Sequence, residues 1–418
     1  MEKSGKFRLT SLERNWILYD VGNSAFVLMV ATLIPIFFNA LAEAGGLSSV
    51  EYLAYWGYAS SAVTVITAVL SPILGTVADT KGFKKPIFIL CVFVGIVGCC
   101  AMGAASAWLP FLVIFVIAKV GFSGSLVFYD SMLSDVTTPE RMDEVSSRGY
   151  AWGYIGSCVP FVVCLGLVLG AGSIGISQMT ALNLALLLTA AWWLLTTLPL
   201  LKSYKQLYYV EVEKHAVRQS FVRIGHTLRH LPEDKQVFWF LLAFFCYIDG
   251  VYTIIDMATA YGTALGLDTT GLLLALLVTQ IVAFPSALIF GRLSNKYPSA
   301  KLIPVCIAAY AGIAVFAFFL TRQWQFWVLA VIVGMFQGGV QALSRSHFAK
   351  IIPPEKSGEY FGLFDICGKG ASFLGTMIVS VGSQLTGSAN VGVGSLIVLF
   401  IVGFVLFRVS CKKEVVPE

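Results

Sequence analysis

Long apolar runs, separated by short loops that carry most of the charge, set the pattern of this chain. Segments of spanning length fall at roughly 16–40, 52–77, 86–105, 109–132, 149–170, 179–200, 237–264, 271–291, 301–320, 324–344, 359–383 and 391–409. Each holds about 20 residues or more, and at about 1.5 Å per residue a helix of that length crosses a hydrocarbon layer of about 30 Å. The pattern therefore predicts twelve transmembrane helices.

The connections alternate in charge. Lys81, Lys84 and Lys85 follow the second segment, Arg141 and Arg148 the fourth, and a basic stretch from Lys202 to Lys235 the sixth; the intervening loops hold only Arg322. Of 28 Lys and Arg, 25 fall on one side and two, Lys119 and Lys369, lie inside spans. By the positive-inside rule both termini are expected in the cytoplasm. The longest connection divides the chain into a six-helix bundle over 1–200, a linker over 201–236 and a second six-helix bundle over 237–418. Within the linker Val217, Phe221, Ile224, Leu228 and Leu231 recur at helical spacing among Arg218, Arg223, Arg229 and His230, which predicts an amphipathic helix on the inner leaflet.

Composition agrees, and it excludes several classes. With 57% hydrophobic and 12% charged residues over 418 positions, and a mean hydropathy of +0.82, the chain is a polytopic membrane protein. The net charge of +5 follows from the loops and requires no nucleic-acid partner. Nine cysteines sit mostly singly in apolar runs, and His226 and His230 have no further ligand beside them, so no metal site is expected. Gly362 through Gly370 departs from a phosphate-binding loop in spacing and lacks its Ser or Thr, so no nucleotide or other cofactor is expected. No Ser/His or His/Glu cluster falls inside the spans, and the chain is not read as an enzyme.

Charges inside spans carry the candidate chemistry. An ion near the bilayer centre costs roughly 2.5–3.5 kcal/mol on insertion scales, so it is expected to face a partner or a wet cavity. The candidates for a substrate or ion pathway are Asp20, Lys119, Asp130, Asp249, Asp256, Asp365 and Lys369, with Asn23, Tyr129 and Gln341 as polar neighbours. Lys119 and Lys369 lie near mid-span and are expected to face Asp20 and Asp249, gripping both ends of a zwitterion. In the alternative, the same charges pair with one another and never touch substrate. Pro35, Pro72, Pro160 and Pro285 mark expected bends, and Gly166-x-x-x-Gly170 a close helix contact.

The two halves echo each other, as in transporters built from repeats. Tyr19-Asp20 in span one has a counterpart in Tyr247-Ile248-Asp249 of span seven. The loop Gly75 to Lys85 is answered by Gly291 to Lys296. Aligning Pro139-Glu140 with Pro354-Glu355 sets Asp130 opposite Arg345, opposite signs that suit a gate closed by ion pairing between the halves.

The loop Gly75-Thr76-Val77-Ala78-Asp79-Thr80-Lys81-Gly82-Phe83-Lys84-Lys85 resembles the signature loop of the major facilitator superfamily. Glu13 to Phe26 is similar to the opening of that superfamily's autophagy-related vacuole-effluxer-like family. Further matches are Phe128-Tyr129-Asp130-Ser131, Gly149 to Gly156, Tyr247 to Val251, Gln341 to Ser346 and Phe361 to Phe364. The resemblance implies an all-α fold of two six-helix bundles around a central cavity, alternating access, and a monomer. It also implies a cytoplasmic latch that includes Asp79, Lys81, Gly82 and Lys84, to which we add Arg148 and Arg345. Three positions depart from the family pattern: Asn295 for Asp, which predicts a weaker second latch, Asp130 for Asn, and Ser134 for Pro.

The expected function is secondary transport of a small polar or zwitterionic metabolite, an amino acid first, proton-linked or facilitative. An exporter of amphiphilic or cationic compounds is the alternative within transport, and a receptor or lipid scramblase on a transporter fold the alternative outside it. The expected setting is a lipid bilayer, the plasma (inner) membrane if the source is bacterial.

Overall fold

A computed structural model describes residues 7–211, 224–227 and 229–411; the side chains of 49, 50, 53, 259, 260, 264, 269, 270, 273 and 369–373 lie outside that description. Among the described residues eleven helices are long and apolar enough to cross a membrane. The 30-residue helix Ser357–Thr386 lies between the last two of them. With it, the described residues contain twelve helices of spanning length, as the hydropathy pattern predicts.

Helix ends follow local chemistry. Span one begins at Ser11, earlier than the apolar run, because Thr10 and Glu13 form a reciprocal capping box. It breaks at Thr32 and resumes as Leu33–Ala44. Pro35 lacks an N–H, and its ring collides with the carbonyl four residues back, which places the break there. Span two, Ser49–Ala78, also begins with a capping box, from Ser48. The turn after it needs the left-handed backbone of Gly82, φ 79°. The remaining spans are Lys84–Gly103, Trp108–Ser131, Met142–Leu169, Gln178–Ser203, Lys235–Ala264, Thr269–Leu293, Ser299–Phe318, Gln323–Ile351, Ser357–Thr386 and Ala389–Cys411.

Span one packs against five and six, and span seven against eleven and twelve. The halves meet where span two packs on span eleven and span five on spans eight and ten. Outward-facing Val69, Phe93, Val113, Val162, Ile289 and Ile401 are exposed, the arrangement expected where lipid covers the surface. The expected close contact at Gly166 does not form: a Cβ there would meet nothing within 4 Å.

After span six, residues 204–211 run back over the loop between spans two and three. Val210 bridges Thr80, and Asp135 accepts the amides of Leu207 and Tyr208 at 3.0 and 2.9 Å. Of the expected amphipathic helix, Val217, Phe221 and Leu228 lie outside the described residues, and Ile224 is buried.

Candidate functional site

The strongest concentration of buried charge lies near the end of the bundle that carries both termini. Arg345, on span ten of the second half, is 2% exposed and reaches into the first half. Its Nη1 donates to Asp130 Oδ1 at 2.9 Å, and its Nη2 lies 3.6 Å from Asp20 Oδ2. Nε and Nη2 donate to the Oγ and carbonyl of Ser146 at 2.9 and 3.0 Å. The guanidinium also lies 4.3 Å from the ring centre of Tyr150, 4.7 Å from Trp16 and 5.5 Å from Tyr129. Trp16 stacks on Tyr129 at 4.3 Å and donates its indole N–H to the Tyr129 carbonyl, which fixes two walls of the cage. Gly149 keeps the space open: a Cβ there would sit 2.8 Å from Asp20 and 3.1 Å from Arg345. The Asp130–Arg345 register drawn from the two Pro-Glu pairs corresponds to a direct contact.

On one side of this cage, spans two and eleven are held together by Asp79. Its two oxygens accept the amides of Gly358 and Glu359 at 2.7 and 2.8 Å. Lys84, fully buried, lies 3.8 Å from Asp79 and 3.4 Å from Asp135, and donates to Ser357 at 2.8 Å. Burial pushes the Asp79 carboxyl up to about 7, against the opposing pull of Lys84 and the two amides. Gly82 gives its N–H to Gln206 at 2.9 Å. Lys81 does not join the halves. It is exposed, pairs with Glu211 of the linker at 3.5 Å and lies over Tyr209.

On the other side the acids come from span five. Glu144 accepts from Asn295 at 2.8 Å, while Asp143 pairs with Lys350 and accepts from Ser346, both at 2.6 Å. Arg148 binds Glu144 within its own helix at 2.6 Å and stacks near Phe7, so it supports this seam without crossing it. Asp143, Glu144, Ser146 and Tyr150 were not singled out from the sequence. Their spacing of three, four and seven residues puts Asp143, Ser146, Ser147 and Tyr150 along one helix face, a signal the charge count of the loops does not weigh.

Deeper in the bundle the expected partners are rearranged. Asp20 meets Arg345, not Lys119, and Asn23 lies 3.5 Å from its other oxygen. Asp249 is no counterpart of Asp20 in contact: its Oδ1 accepts the Gly375 amide at 2.9 Å and the Thr253 hydroxyl, within the second half. Lys119 lies 4.7 Å from the ring centre of Phe122 and within electrostatic reach of Asp256, an exposed acid inside span seven of the opposite half. Asp365 accepts from Ser71 at 2.8 Å, and Gln341 from Tyr154 at 3.0 Å, both between the halves. The side chain of Lys369 lies outside the described residues. A separate apolar cavity lies within the second half, lined by Met257, Tyr261, Phe326 and Leu329 among others. Among the described residues no cluster of His, Cys, Asp and Glu could hold a metal.

Comparison with known proteins gives one consistent picture. Residues 11–142 and 134–414 match the family described as vacuole effluxer Atg22 like. A Bacillus subtilis protein described as an uncharacterized MFS-type transporter, YxiO, is 42% identical over 404 residues, 96% of this chain and 94% of the relative. Autophagy-related protein 22 of Saccharomyces cerevisiae is 28% identical over 283 residues, 58% of this chain and 53% of its own length. The chain thus matches about half the length of that fungal relative. Among solved structures, the human organic anion transporter MFSD10 superposes with a TM-score of 0.71 at 14% identity, covering 95% and 98% of the two chains. FucP in its outward conformation superposes with a TM-score of 0.70 at 16% identity, covering 96% and 97%.

Proposed function

This chain belongs to the vacuole effluxer Atg22-like family, and from that premise we propose that it moves a small polar or zwitterionic metabolite, an amino acid first, by alternating access. That it is a multi-pass secondary transporter of the major facilitator type, and not an enzyme, is established by fold and family. The observation that carries the finer reading is the placement of Lys119 inside span four and Asp256 inside span seven, a cation of one half and an acid of the other at hydrocarbon depth, where such groups persist only beside partners or water. A zwitterion placed between them answers both charges.

In this reading the basic face is cytoplasmic and the contacts around Asp79, Glu144 and Arg345 are a closed cytoplasmic gate. Opening that gate separates Arg345 from Asp20 and Asp130, and a proton taken up on either acid would link transport to the proton gradient. A monomer suffices, since both halves of the pathway lie in one chain. Flux of pooled labelled amino acids into proteoliposomes, with and without a pH gradient, tests the reading. Asp20→Asn and Lys119→Met are each expected to abolish flux in folded protein. Movement of a lipophilic amine but of no amino-acid pool would overturn the reading in favour of an exporter of amphiphiles.

A further inference from the structure

Every group that holds Arg345 in place belongs to the opposite half: Trp16, Asp20, Tyr129, Asp130, Ser146 and Tyr150. When the halves separate at this end, Arg345 leaves on span ten and the rest of the cage remains on spans one, four and five. What remains has two carboxylates, three ring faces, a serine hydroxyl and a backbone carbonyl converging on one point. Two acids serve one cation even in the closed form, and the buried Asp20 Oδ2 is met by Arg345 Nη2 at 3.6 Å, longer than the 2.9 Å contact to Asp130. Paired acids and ring faces at these distances are complementary to an ammonium or a planar guanidinium.

We propose that this cage is a ligand site for the cationic amino or guanidino group of the transported molecule in the state open at the basic end, and that Arg345 is its built-in competitor. Closing the gate inserts Arg345 and displaces the ligand's cation. Opening withdraws Arg345 and leaves two acids in need of a positive charge. The occupant rests on the transport reading above, whereas the cation preference of the cage rests on its own geometry.

The test is a titration of the purified full chain carrying Arg345→Ala with ethylguanidinium and with its uncharged analogue N-ethylurea, read as thermal stabilisation. The expected result is saturable stabilisation by ethylguanidinium at a concentration at least tenfold lower than any effect of ethylurea. The same stabilisation should be at least tenfold weaker in wild type, whose cage is filled, and lost in Arg345→Ala with Asp130→Asn. Equal responses to the two compounds, or no response, overturn the proposal. Should Arg345→Ala not survive purification, Arg345→Gln in native membranes is titrated in the same way and judged by the same outcomes. Failure of the transport reading is distinguishable. Amino-acid pools that do not move while the variant still selects ethylguanidinium would remove the occupant and keep the cage; pools that move while the variant ignores it would remove the cage alone.

Discussion

Replacing Gly362 by alanine should open the seam between spans two and eleven. A Cβ at Gly362 would lie 2.7 Å from Pro72 Cα, 2.7 Å from the Ser71 carbonyl oxygen and 2.9 Å from Pro72 N. All three are backbone atoms, so no side chain can rotate away. Restoring ordinary contact at 3.4 Å or more requires the helices to part by about 0.7 Å. The same shift carries the 2.7 and 2.8 Å bonds of Asp79, and the 2.8 Å bond between Ser71 and Asp365, to about 3.5 Å, beyond useful hydrogen-bond length. Overpacking of this kind costs about 1–3 kcal/mol, and at about 1.4 kcal/mol per decade the closed form should lose roughly 5- to 150-fold in population relative to the open one. Spin labels on the exposed positions Glu140 and Lys296, one on each half, report the separation as a distance distribution. Gly166→Ala is the control, since its Cβ meets open space. If the Gly362→Ala distribution matches those of wild type and the control, the seam is not a closing contact and the reasoning is wrong.

Closure should also respond to acid through Asp79. A carboxyl held near 7 when the gate is shut and near the ordinary value of about 3.9 when water reaches it takes up a proton on closing. Closure is then most favoured below about pH 4 and weakens as pH rises to about 7, by at most about tenfold per unit. Asp79→Asn should remove that part of the pH dependence in the same distance measurement, and an unchanged profile in the variant refutes the assignment. Lys81→Ala should leave flux within about twofold of wild type, because its pair with Glu211 is exposed and screened by water; a tenfold loss would assign Lys81 a role at the seam that its contacts do not provide.

Hydropathy made the spans legible, because helix length is a property of a few adjacent residues, and of the four prolines expected to mark bends Pro35 lies at a break while Pro72, Pro160 and Pro285 lie within continuous helices. Rotation of each helix about its axis was not legible. Asp20 and Asp249 are expected as counterparts from the echo of Tyr19-Asp20 in Tyr247-Ile248-Asp249, yet one turns toward Arg345 and the other toward Gly375 and Thr253. An internal repeat in sequence suggests the depth of a residue, while its partner on another helix, Arg345 for Asp20 and the Gly375 amide for Asp249, lies more than 100 positions away. The cage shows the same limit. Trp16 and Tyr150 each fit an ordinary packing role until Arg345 is placed among them, and Tyr129 is expected as a polar neighbour of the pathway, not as a wall around a cation. Asp130 was different, since two Pro-Glu pairs supplied a register by which an acid and a base could be set opposite each other.

The departure at Asn295 takes on a different sense in three dimensions. Judged by its own loop, an amide in place of an acid predicts a weaker contact between the halves. In the fold the charge sits instead on Glu144, across the seam on span five, where it accepts from Asn295 at 2.8 Å and is itself paired with Arg148 at 2.6 Å. The N-terminal loop presents an acid to backbone amides, and the C-terminal loop presents an amide to an acid. Each buried carboxylate thus meets donors from the opposite half, and an acid at 295 would have set two carboxylates face to face. Asn295 is therefore the residue type that lets Glu144 face this loop, and the two seams close by the same chemistry with donor and acceptor exchanged.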